Sequence, residues 1–145
     1  MKISTKSQHA LRMMLDFAEH KCDGYMRLKD VAARLNVSKT YLEQIMLQIS
    51  KADFLTATRG SLGGYKLSYP PNKYIIGDIF RAVEGDSTLA PSQEKSTDEY
   101  TSHIDSMALE VWTGLEEVMM TYLDSITLQD VLDKHQSYVG FDFCI

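Results

Sequence analysis

Cysteine is scarce in this chain: 145 residues hold only Cys22 and Cys144, far apart. Two such thiols make no disulfide framework, and their rarity fits a reducing compartment. Long apolar runs are missing as well. No segment approaches the roughly 20 apolar residues of a membrane span, and Met1-Lys2-Ile3-Ser4-Thr5-Lys6 lacks a run suited to a signal peptide. A cytoplasmic protein without membrane contact is therefore expected. Histidine is thin and scattered, four residues with no Ser/His/Asp set or metal-spaced group around them. His103, with Asp98, Glu99 and Asp105 nearby, reads as solvated polarity. No catalytic residue and no metal ligand is assigned, and an enzyme is set aside. No internal repeat is visible.

Charge is unevenly shared. The whole chain carries −5, which on its face argues against a polyanionic partner. Residues 1–81, however, hold 13 Lys/Arg against 7 Asp/Glu, while residues 82–145 hold 2 against 13. A division this sharp implies a basic binding module joined to an acidic part with another task. Chance clustering of solvated charge is the alternative, but the divide falls where the motif pattern also ends.

The basic half concentrates glycine in one place. Arg59-Gly60-Ser61-Leu62-Gly63-Gly64-Tyr65-Lys66-Leu67 reads as the tip of a short β-hairpin. Gly60, Gly63 and Gly64 are expected to permit positive φ and close backbone approach, with Arg59 and Lys66 supplying cations. The segment lacks the Lys-Ser/Thr ending of a phosphate loop. Upstream, Ser4 or Thr5 caps a first helix running to about His20, with Ala10, Leu11, Met14, Leu15 and Ala18 on one face. Leu28, Val31, Ala32 and Leu35 make a short second helix, stopped at Asn36-Val37. Ser38 caps a third, with Leu42, Ile45, Met46 and Ile49 inside and Lys39, Thr40, Tyr41, Glu43, Gln44 and Gln48 outward or flanking. Two helices across a tight turn, followed by a basic glycine wing, make a winged helix-turn-helix arrangement. Ordinary packing would explain the helix pair alone; the wing points to DNA.

Beyond the wing, Pro70-Pro71-Asn72 breaks the chain, and Ile76 to Val83 gives a small helix expected to brace the wing. Residues 85–103 are polar and read as a linker. Ile104, Ala108, Val111, Leu115, Val118 and Tyr122 then follow a heptad seam, widened by Trp112, Met119 and Leu123. This helix is read as pairing with its copy in a second subunit, since a DNA dyad also calls for two-fold symmetry. Folding back on the first helix of its own subunit is the alternative. Thr127-Leu128-Gln129-Asp130 resembles a capping box opening a last helix to Lys134. The expected fold is mainly α with a small β-wing: a winged helix-turn-helix domain (1–84), a polar linker (85–103), and a long dimerisation helix with its tail (104–145).

With these residues in view, the chain resembles the Rrf-two family of bacterial winged-helix transcriptional regulators. The resemblance is carried by Met1 to Lys6, Tyr41-Leu42-Glu43-Gln44, Arg59-Gly60, Gly63-Gly64-Tyr65, Ile76-Gly77-Asp78-Ile79, Val83-Glu84-Gly85, Trp112 and Ile126-Thr127-Leu128. It implies a homodimer on a palindromic double-stranded operator; a repressor is expected, with an activator as the alternative. It further implies that Ser38, Lys39, Thr40 and Tyr41 meet phosphates and base edges, that Glu43 accepts from cytosine and that Gln44 reads a base edge or touches backbone. Arg59 would enter the minor groove, backed by the glycine tip and Tyr65. Where the family commonly has Gly-Arg-Tyr after Lys6, this chain has Ser7-Gln8-His9, which puts the N-terminal contacts in doubt. Iron–sulfur members carry three cysteines in the linker and at the start of the dimer helix. Here Gly85–Leu109 contains none, and Ser106 stands where the third would fall, so no cofactor is expected. Within the family the chain resembles cluster-free, CymR-type regulators of cysteine metabolism, which implies cysteine synthase as a partner. Two readings stand for the tail. Phe143 and Ile145 dock on that partner through an apolar side chain and a terminal carboxylate, or the tail aromatics pack back on the dimer helix.

Overall fold

The computed structural model describes residues 3–21, 24–61, 63–85 and 98–135. Helices α1 (Thr5–Glu19), α2 (Leu28–Leu35) and α3 (Lys39–Ile49) lead into a hairpin of β1 (Leu55–Thr58) and β2 (Gly64–Leu67). Helices α4 (Ile76–Glu84), α5 (Glu99–Asp124) and α6 (Leu128–Lys134) follow. This is the helical protein with a small β-wing that the sequence implies.

Local chemistry sets most of the boundaries. The Ser4 hydroxyl accepts from Ser7 N–H at 3.1 Å to open α1, and Ser38 does the same for Tyr41 N–H at 3.1 Å to open α3. Asn36 adopts a left-handed conformation (φ 57°) after α2, where Val37 N–H returns to the Ala32 carbonyl at 3.0 Å. That turn is what swings α3 away from α2. Thr127 and Asp130 form the anticipated capping box, with bonds of 2.9 and 3.1 Å.

The core lies between α1, α3 and α4, closed by Leu128 of α6. Its largest fully buried side chains include Phe17, Met13, Met14, Leu42, Ile45 and Ile49. The buried face of α1 is turned by about one residue from the sequence reading. Met13 and Phe17 fill the centre, while Leu11 and Leu15 are only half-buried. Tyr74 is buried, donating its O–H to the Phe54 carbonyl at 2.6 Å, and burial raises its pKa.

Two boundary expectations need correction. Helix α4 packs chiefly on α1, with further contacts to α3 and α5, rather than bracing the wing. Its apolar residues Ile76, Ile79 and Val83 are drawn into the core instead. Helix α5 begins at Glu99, so residues 99–103 are helical and not linker. The start signal lay in polar residues: Asp98 caps α5, accepting from the Thr101 hydroxyl at 2.7 Å and its N–H at 2.9 Å, which holds the Asp98 carboxyl below its usual range.

The C-terminal end of α5 is fastened to α4. Arg81 donates to both Asp124 oxygens at 2.8 and 2.6 Å and to Asp78 at 3.2 Å. The Arg81 hydrogen bond holds the Asp124 carboxyl low. A depressed carboxylate stabilises the fold above its free pKa and loses that contribution as pH falls, so acid loosens this joint and base does not. Gly77 leaves room for the Asp124 carboxylate, where any Cβ would overlap it. Beside it, Ile76 N–H bonds the Ile126 carbonyl at 2.9 Å and Leu128 N–H bonds the Tyr74 carbonyl at 3.0 Å.

Candidate nucleic-acid interface

Helix α3 buries Leu42, Ile45, Met46 and Ile49 and leaves Lys39, Thr40, Glu43 and Gln44 exposed. Lys39 and Glu43 form an exposed i,i+4 ion pair at 3.4 Å, a contact of small energetic weight that a phosphate readily replaces. Tyr41 is half-buried, and the His9 ring meets it edge-on, centroids 5.3 Å apart at 88°. The Arg12 guanidinium lies 2.8 Å from His9 Nδ1 and donates to the Leu35 carbonyl at 2.7 Å. A guanidinium only donates, so the His9 ring accepts at Nδ1 and carries its hydrogen at Nε2. The Ser7-Gln8-His9 departure thus supplies a brace from α1 to the start of α3. Ser7 is itself buried, its hydroxyl donating to Glu84 alongside that of Ser4.

This brace has a measurable consequence. An aromatic edge contact is worth about 0.5–1.5 kcal/mol. By fluorescence anisotropy, His9→Ala is expected to weaken operator binding about threefold to tenfold. His9→Phe keeps the ring edge and is expected to restore most of it. A wild-type affinity in His9→Ala would show that Tyr41 needs no such support.

The hairpin pairs Leu55 with Leu67, Thr56 with Lys66, Ala57 with Tyr65 and Thr58 with Gly64. A third edge joins it, because Met26 and Tyr65 exchange N–H···O bonds of 2.8 Å in both directions. The three glycines of the tip have three different jobs. Gly60 alone has positive φ, at 107°, and open space around it. Gly63 and Gly64 do not, which corrects the sequence expectation. A Cβ on Gly63 would lie 2.7 Å from the Thr58 carbonyl oxygen, and one on Gly64 would overlap the Met26 carbonyl. Their close approach is therefore to this chain's own backbone. Arg59 is exposed at the turn, and Tyr65 is half-buried behind it.

Between the start of α3 and the wing runs an open groove of about 710 Å³. Arg27, Lys29, Lys39 and Arg59 line it together with Glu43, so four cations face one carboxylate. Arg27 and Lys29 were not singled out in the sequence. They flank Leu28 at the mouth of α2, and the Arg27 guanidinium reaches the Ser61 carbonyl at the wing tip. The signal was present as a basic pair around the first buried residue of a helix.

The α5 seam has no buried residue. Val111 is 63% exposed, Val118 68% and Tyr122 62%, with Ile104, Trp112 and Leu115 also exposed. Ala108 is exposed too, and Met119 is half-buried. Apart from Met119, these side chains remain exposed among the described residues of their own chain. Phe143 and Ile145 lie outside the described residues. Among the described residues, no group of three His, Cys, Asp or Glu is placed to hold a metal ion, and no helix is long and apolar enough to cross a membrane.

A recognition helix with a polar outer face, a glycine-tipped hairpin and a cation-lined groove between them define a winged helix-turn-helix module carrying a long apolar-faced helix. Comparison with known proteins agrees. The Rrf2 family, described as iron-dependent transcriptional regulator, matches residues 3–134, and the chain belongs to this family. It is 33% identical over 131 residues to the transcriptional regulator CymR of Bacillus subtilis (strain 168), covering 90% of this chain and 89% of that protein. The solved structure of CymR, the global cysteine regulator of B. subtilis, superposes with a TM-score of 0.74 at 31% identity, covering 94% of this chain and 99% of that one. T. potens IscR gives a TM-score of 0.70 at 32% identity, covering 95% and 91%. These relatives are transcriptional regulators, not enzymes.

Proposed function

We propose that the protein is a cytoplasmic, homodimeric repressor that binds a palindromic operator and controls genes of cysteine or sulfur metabolism. The observation that carries this reading is the cation-lined groove between the exposed face of α3 and the wing. A major groove about 12 Å wide admits such a helix, while Arg59 at the hairpin turn suits the narrow, electronegative minor groove of A·T-rich tracts. Ser38, Lys39, Thr40 and Tyr41 are assigned to phosphates and base edges, and Glu43 and Gln44 to base readout. The uncovered apolar seam of α5 supports the dimer. Likeness to CymR supports the metabolic assignment.

The family description implies iron, and the donor set bears on that. Iron–sulfur clusters are held by thiolates, and Gly85–Leu109 has no cysteine. Ser106 donates its hydroxyl to the Ser102 carbonyl at 2.9 Å. These residues do not fit a linker cluster, and the proposed regulator works without one.

Selection of bound DNA from a random pool tests the reading, with wild type and Arg59→Ala in parallel. The wild type is expected to enrich a palindrome, and Arg59→Ala to lose on the order of tenfold in affinity, chiefly at A·T-rich flanks. In vitro transcription from a template bearing that palindrome is expected to fall when the protein is added. A folded wild type that enriches nothing would refute sequence-specific binding.

A further inference from the structure

Helix α3 carries one apolar side chain on its exposed face. Leu47 is 69% exposed, whereas Leu42, Ile45, Met46 and Ile49 of the same helix are buried. It is also absent from the partly buried residues that pack against the core. At about 100° per residue, Leu47 falls between Glu43 and Gln44 around the helix axis, close to the line of Thr40. A solitary exposed leucine is ordinary on a protein surface. This one occupies the middle of a face otherwise made of hydrogen-bonding groups, one turn beyond Glu43 of the cation-lined groove.

We infer that Leu47 is a specificity-determining residue whose side chain contacts the C5-methyl group of thymine in the major groove. The inference rests on the DNA-binding reading above and adds a base preference to it. Leu47 stands one turn beyond Glu43, about 6 Å along the axis, or roughly two base-pair steps. Glu43 accepts hydrogen bonds and Gln44 both donates and accepts, so they suit polar base edges. Leucine does neither. Set against a polar edge, it would strip water from groups it cannot satisfy. The thymine methyl is the apolar feature that the major groove presents, and it is what a leucine there can read.

The test starts from the operator selected by the wild type. Each thymine is replaced in turn by deoxyuridine, which lacks only the methyl group, and Kd is measured for wild type, Leu47→Ala and Leu47→Gln. One or two positions per half-site are expected to weaken wild-type binding about fourfold, the ~0.8 kcal/mol of one buried methyl-sized group converted at ~1.4 kcal/mol per tenfold. Those same replacements are expected to leave both variants unchanged. Because Leu47 is exposed, both variants are expected to melt with the wild type. A flat scan in the wild type overturns the inference. So does a methyl effect that persists undiminished in both variants, since another residue then reads the methyl. If folded wild type selects no operator at all, the DNA reading falls and takes this assignment with it, an outcome distinct from a flat scan on a good operator.

Discussion

A Val111→Glu, Leu115→Glu double variant is expected to sediment as a monomer and to lose operator affinity by a hundredfold or more. Both side chains sit on the exposed seam of α5, and neither is buried by the described residues of its own chain. The substitutions therefore leave the monomer's core intact, and melting of the DNA-binding part should shift little. Pairing two seams would bury apolar area at about 25 cal/mol per Å²; two carboxylates on each helix make that burial costly. The loss on DNA follows from linkage, because a second half-site bound intramolecularly contributes roughly 10²–10⁴ in avidity without any new contact. Sedimentation velocity and operator titration on one preparation check both halves. A dimer that survives the double substitution would move the interface elsewhere and leave the seam unexplained.

Gly64→Ala is expected to destabilise the fold by on the order of 3 kcal/mol, lowering the melting temperature by roughly 10 °C. The new methyl would overlap the Met26 carbonyl, and that obstacle is backbone held by paired 2.8 Å bonds between Met26 and Tyr65. It cannot swing aside as a flexible side chain would. Relief requires parting the third edge from the wing, which also opens the groove lined by Arg27 and Arg59. Gly60→Ala is the informative control. Its Cβ meets nothing, so only the positive φ is penalised, at about 1 kcal/mol. Equal melting of the two variants by calorimetry would refute the separation of their roles.

Those two glycines show where reading the sequence reaches its limit. Periodicity and caps specify a helix well, because the cause lies within a few residues: Ser4, Ser38 and Thr127 each act on an N–H three positions on. The buried stripe of α3 and the exposed seam of α5 were legible for the same reason. What a glycine makes room for is not local. Gly63, Gly64 and Gly77 are small because Thr58, Met26 and Asp124 come close in space. No spacing rule places Met26 beside Tyr65. The start of α5 was hidden because Asp98 and Thr101 sit in a stretch whose composition reads as loop. Arg27 and Lys29 were passed over because a groove between α2, α3 and the wing exists only after folding. Leu47 is different: helical spacing alone sets it off the inner stripe of Leu42, Ile45, Met46 and Ile49, and the fold adds that it is 69% exposed.

The joint made by Gly77, Arg81 and Asp124 also sets a gear ratio. Helix α5 has 26 residues, a lever about 39 Å long, fastened near one end. Rocking it by about 5° moves the other end by roughly 3 Å, close to the rise of one base pair. In an assembly of two such levers, a displacement at the fulcrum smaller than a methyl group is magnified into a different distance between the two reading heads. The ruler for half-site spacing would then reside in three residues that lie outside the cation-lined groove.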